Sequence, residues 1–89
     1  MAARPDRAWY KTARWRALRE AVIKRDGQTC QRTGVALVGR YPAGNSPVVD
    51  HIRPHGGDPK LFWDMANLQT VSRDYHDTTK RTLERRGLV

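Results

Sequence analysis

The sequence predicts a small α+β domain. Two short β-branched stretches, at residues 47–52 and 68–71, are spaced for a pair of strands. Two longer segments free of internal Pro and Gly, at residues 12–26 and 73–86, predict helices. The 89 residues between Met1 and Val89 leave room for one domain only, because a chain this short buries only about 60% of the surface its unfolded form exposes. Seven aromatic residues, three Trp, three Tyr and one Phe, are the densest packing material available to so modest a core.

Taken in order, residues 1–8 read as a loose basic tail. Thr12 is placed to cap a helix over residues 12–26, in which Trp15, Leu18 and Val22 recur at i, i+3 and i+7. Asp26-Gly27 supplies its stop. On that helix Arg14, Arg16 and Arg19 have two readings, a solvated face or contact with phosphates. Between Gln28 and Pro47 the glycines and prolines predict turns around one short strand at residues 35–38. Residues 55–59 form a Gly-rich loop, Leu61-Phe62-Trp63 an apolar anchor, and the last segment a helix with a strongly basic face; residues 47–86 thus carry the core.

Charge narrows the function classes. Seventeen Lys and Arg against nine acidic residues give a formal charge of +8, which points to an anionic partner, with nucleic acid first. The longest apolar run, residues 35–38, is far below the roughly 20 residues of a membrane-spanning helix. The Arg-studded amino terminus lacks the apolar centre of a secretory signal. A cytoplasmic protein with no membrane contact is therefore expected, and the lone Cys30 fits a reducing compartment.

The chemistry gathers in the carboxy-terminal half. Asp50 offers a hard oxygen and His76 a borderline nitrogen, a donor pair suited to Mg²⁺, Mn²⁺, Ni²⁺ or Zn²⁺ with positions left open for water and a substrate oxygen. His51, beside Asp50, is a candidate general base at neutral pH. Each residue alone has a plainer reading: a surface or hydrogen-bonding histidine, a turn aspartate. Their order, Asp-His, then Asn67, then His76, makes the site reading the stronger one. One geometric difficulty remains, since neighbours on a straight strand point to opposite faces; the strand must twist or end near Asp50.

At these residues the chain resembles the HNH endonuclease family, in its small phage and prophage form. The matching text is Asp50-His51-Ile52-Arg53-Pro54-His55-Gly56-Gly57-Asp58, Leu61-Phe62-Trp63-Asp64, Asn67-Leu68-Gln69 and His76-Asp77-Thr78-Thr79-Lys80. The stretches Trp15–Arg19 and Arg25–Cys30 look like the family's leading helix and turn, so the resemblance covers almost everything after Trp9. It implies a ββα-metal (His-Me finger) fold preceded by an amino-terminal helix, clasping one divalent ion. Asp50 and His76 match the metal ligands, His51 the general base, and Asn67 the residue that pins the intervening loop and so orients His51, although in some relatives it nears the metal. For His55 the choice is between a loop-closing hydrogen bond and a phosphate contact. Lys80 stands where some relatives carry a third ligand; being cationic, it either meets phosphate or pairs with an acid.

The same resemblance implies a phosphodiester hydrolase that nicks or cuts DNA with low sequence specificity, leaving 3′-hydroxyl and 5′-phosphate ends. Arg53, His55, Arg73, Lys80, Arg81, Arg85 and Arg86 would meet the DNA backbone. Targeting would come from a partner such as the phage packaging proteins (terminase, portal), and the protein would act as monomer or homodimer. One departure stands out. Where many relatives carry four zinc-binding cysteines, this chain has Cys30, Thr33, Ser72 and Tyr75, so no structural zinc is expected. Its loss removes roughly 10 to 16 kcal/mol of the binding energy such an ion lends small folds. The competing classes are an HNH-fold nucleic-acid-binding module that is weak or silent in catalysis, and a basic structural protein with no use for Asp50 and His51 beside His76.

Overall fold

The computed structural model describes residues 6–80. The chain is a two-stranded antiparallel sheet with helices on both faces, an α+β arrangement. A single helical turn α1 (Asp6–Trp9) leads into α2 (Ala13–Arg25), followed by a long irregular connection to β1 (Pro47–His51). A short helix α3 (Pro59–Phe62) and a 3₁₀ turn (Met65–Asn67) separate β1 from β2 (Leu68–Ser72), and the chain then enters α4 (Tyr75–Lys80). Among the described residues no helix is long and apolar enough to cross a membrane.

Local chemistry explains most boundaries. Thr12 caps α2, its hydroxyl accepting from the Trp15 amide at 3.1 Å. Gly27, at φ +64°, ends the helix in the left-handed region. Asp58 caps α3 with Pro59 just inside it, and Asp64 caps the 3₁₀ turn through the Ala66 amide. The expected strand at residues 47–52 pairs as residues 47–51, and the one expected at residues 68–71 extends to Ser72.

Two expectations need correction. Residues 6–8, taken as the end of a tail, form α1 together with Trp9: Asp6 is buried and Trp9 sets its ring 4.9 Å from Phe62. Residues 35–38 contribute only an isolated bridge between Thr29 and Ala36, with Val35 and Val38 exposed and Leu37 alone buried. The expected closing helix is present, wound as a wide π-helix over Tyr75–Lys80, and its expected continuation to residue 86 lies outside the described residues.

The register pairs Val48 with Val71, Val49 with Thr70, Asp50 with Gln69 and His51 with Leu68. Alternation then sorts the sheet into two faces. Val49 and Leu68 join Trp15, Val22 and Phe62 in a core against α2, with Trp9, Leu18 and Trp63 at its margin. Val71, with Val48 packed against it, joins Cys30, Leu37 and Tyr75 in a second core under α4. Strand β1 pairs with β2 along one edge, and along its other edge it pairs with no strand among the described residues.

Candidate metal and base site

That open edge positions the site. Residues 47–51 line a cavity of about 830 Å³, closed on one side by Tyr10, Trp15 and Arg19 and on the other by Gly39, Arg40, Tyr41 and His76. Asp50 and His51 do point to opposite faces, as their neighbours demonstrate. His51 packs with α2 and α3, whereas Asp50 turns toward α4. Both residues nevertheless line the one cavity.

On the α4 face, Asp50 Oδ1 lies 3.8 Å from His76 Nε2, and Asp50 Oδ2 accepts from the Gln69 amide nitrogen at 3.2 Å. The cross-strand partner of Asp50 thus occupies one carboxylate oxygen and leaves the other toward His76. His76 Nδ1 lies 3.1 Å from Asp77 Oδ1. An ionised carboxylate only accepts, so Nδ1 carries the proton and the neutral ring's lone pair is on Nε2, facing Asp50. Asp77 is in turn held by Arg73 Nε at 3.0 Å. The hydrogen bond from His76, with the charge of Arg73, lowers the Asp77 pKa despite slight desolvation.

A cation between these donors is sterically reasonable. Oxygen and nitrogen ligands sit about 2.0–2.2 Å from ions such as zinc, so two donors on one ion stand at most about 4.4 Å apart, and 3.8 Å is within that limit. One carboxylate oxygen and one imidazole nitrogen, both lining an open cavity, fit a divalent ion. Among the described residues no group of three or more His, Cys, Asp or Glu is placed to share an ion.

On the α2 face, His51 is 8% exposed. Its ring stacks on Trp15 at 5.7 Å and 16° and leans on Phe62 at 4.9 Å. Nε2 lies 3.0 Å from the Phe62 carbonyl. A carbonyl can only accept, which puts the proton on Nε2 and makes Nδ1 the basic nitrogen of the neutral ring.

Asn67 is buried away from the cavity and binds backbone. Its Oδ1 accepts from the Arg53 amide at 2.9 Å, and its Nδ2 donates to the carbonyls of Arg53 and Leu61. It thereby clasps the loop from which α3 presents the Phe62 carbonyl to His51. His55 closes the glycine turn: Nδ1 accepts from the Gly57 amide at 3.0 Å, and Nε2 meets the Tyr10 hydroxyl at 3.2 Å. Gly56 and Gly57, at φ +56° and +87°, permit that turn. Arg53 is exposed. Arg73 engages Asp77 and the Tyr41 ring. Arg81 and the side chain of Lys80 lie outside what is described.

Cys30, Thr33, Ser72 and Tyr75 also converge. Burial pushes the Cys30 thiol up, but hydrogen bonds from the Thr33 side chain and from the amides of Ser72, Arg32 and Thr33 outweigh it and bring the pKa down to about 7. Ser72 Oγ accepts from the Tyr75 amide, and the Tyr75 hydroxyl from Arg32 Nε. One thiol, two aliphatic hydroxyls and a phenol do not fit zinc; hydrogen bonds join them instead.

Sequence reasoning missed Gln69, Asp77, Tyr10 and Tyr41 as neighbours of the site. Asp77 adjoins His76 in sequence and was open to notice; Gln69 emerges only once the register is known. Comparison with known proteins found no matching family model, curated protein or solved structure.

Proposed function

We propose that this chain is a divalent-metal-dependent DNA endonuclease of the HNH type, whose ββα-metal core is β1, β2 and α4. The observation that carries the reading is the meeting of Asp50 Oδ1 and His76 Nε2 at 3.8 Å in a cavity that His51 also lines. The net charge of +8 adds the affinity for a polyanion that such a substrate needs.

Asp50 and His76 are the residues that hold the ion, Asp50 steadied by Gln69 and His76 by Asp77. When bound, the ion supplies positive charge that stabilises the developing phosphate charge and the 3′ leaving oxygen. His51 Nδ1 takes the proton of the attacking water as its oxygen bonds to phosphorus and the bond to the 3′ oxygen breaks. The leaving oxygen takes a proton from solvent, which yields 3′-hydroxyl and 5′-phosphate ends. The Phe62 carbonyl keeps His51 in the required tautomer, and Trp15 fixes the plane of its ring.

Plasmid nicking with Mg²⁺, Mn²⁺ or Ni²⁺ tests the proposal. Nicking is expected to vanish in EDTA and to fall by about 10²- to 10⁴-fold in His51→Gln, with DNA binding retained. Binding without nicking under every metal would favour the catalytically silent module, and undiminished nicking by His51→Gln would remove His51 as the base.

A further inference from the structure

The cavity is larger than an ion and a phosphate require. Its volume of about 830 Å³ lies in the range of pockets that enclose whole small ligands, about 300–1,000 Å³. The excess runs along the edge of β1 toward the loop that carries Arg40 and Tyr41. Tyr41 is 80% exposed, the most exposed large hydrophobic side chain among the described residues. The Arg73 guanidinium lies over its ring, 4.5 Å from the centroid.

Backbone contacts fix this ring relative to the metal-binding end of the site. The Arg73 amide donates to Ser46 O and the Asp74 amide to Gly44 O, each at 3.0 Å, which ties the loop to the start of the closing helix. Arg73 and His76 meet through Asp77, whose carboxylate lies 3.0 Å from Arg73 Nε and 3.1 Å from His76 Nδ1. Arg19, on the far side of the cavity, is anchored to Pro47 O at 3.2 Å. An aromatic ring braced by a cation, in a cleft flanked by further arginines, is the combination that binds nucleic acid by base stacking together with phosphate attraction.

We propose that Tyr41 is a stacking platform for an unpaired nucleobase beside the scissile phosphate, making single-stranded DNA the preferred substrate. This rests on the endonuclease reading and deepens it. In a duplex both faces of a base are covered by its neighbours, so a tyrosine face at a backbone cleft reaches only a base that has left the stack. The contact carries little sequence information, since every base has a π-face.

Binding in EDTA separates this inference from catalysis. Fluorescence anisotropy on a short labelled oligonucleotide, single-stranded or annealed to its complement, is expected to give tighter binding of the single strand. Tyr41→Ala should weaken single-strand binding on the order of tenfold and leave duplex binding within about twofold, while Tyr41→Phe keeps the preference. A 2-aminopurine placed in the single strand should be quenched by the wild-type protein and by Tyr41→Phe but not by Tyr41→Ala, a signal that a purely structural tyrosine would not move. Equal losses on both DNA forms, or unchanged quenching in Tyr41→Ala, would overturn the inference and leave the nuclease reading intact. A Tyr41-dependent preference in a protein that nicks nothing would uphold it while overturning the nuclease reading.

Discussion

At Cys30, hydrogen bonds to a buried thiol couple folding to pH. In the unfolded chain its thiol has the ordinary value of 9.0, whereas in the fold it titrates at about 7. Between those values the unfolded state binds the extra proton, so stability rises with pH through that window; it is complete above about 9 and lost as pH falls through about 7. The full difference is on the order of 2 kcal/mol, enough to raise the thermal midpoint by several degrees between pH 7 and 9. Cys30→Ser, which does not titrate there, should flatten the curve; the same rise in both proteins would assign it to another group. The candidate side chains were more legible than their supports, because Asp50, His51 and His76 are singled out by residue type, whereas Gln69 and Asp77 matter only through the bonds they make. Which nitrogen of His51 is basic was not legible: it depends on a carbonyl eleven residues away, that of Phe62.

The elements were legible where one short-range rule governs them. Periodicity and a capping threonine located α2, and β-branched runs located β1 and β2. The misses have tertiary causes. Helix α1 spans four residues and is held by Trp9 against Phe62 and Trp63, contacts that no local pattern encodes. Residues 35–38 have strand composition, but their backbone bonds to residues 28–30 amount to a single bridge at Ala36. Asp26, read as a helix stop, also links elements. Its Oδ2 accepts from the Thr70 amide in β2 at 2.8 Å, and its carboxylate pairs with Arg25 at 2.9 Å. Arg25 reaches onward to the carbonyls of Met65 and Leu68. Although burial raises the Asp26 pKa, the bonds from Arg25 and Thr70 lower it further. Asp26→Ala would leave the Thr70 amide and Arg25 without this acceptor, a loss of about 2 kcal/mol. The thermal midpoint should drop by roughly 10 °C, while Asp58→Ala, which removes only an exposed cap, should cost about half as much.

At the scale of the whole molecule, the charge of +8 indicated an anionic partner before any site was considered. What no count of charges could convey is that two small cores, one under α2 and one under α4, meet across a sheet of two strands. The proposed ion would sit where β1 faces α4, tying the closing helix to the sheet through His76 and Asp50. A ligand that binds only the folded state stabilises it by about 2.7 kcal/mol at a hundredfold excess over its Kd. In a domain of 89 residues that is a rise in thermal midpoint on the order of 10 °C. Mn²⁺ titrated against the wild-type protein should produce this rise, saturating as a single site, and EDTA should reverse it. His76→Ala removes one of two donors from a half-exposed position, so it should fold normally and show almost no shift. A midpoint that fails to move in the wild-type protein, or moves equally in His76→Ala, would exclude Asp50 and His76 as the residues that hold the ion, whatever the DNA assays report.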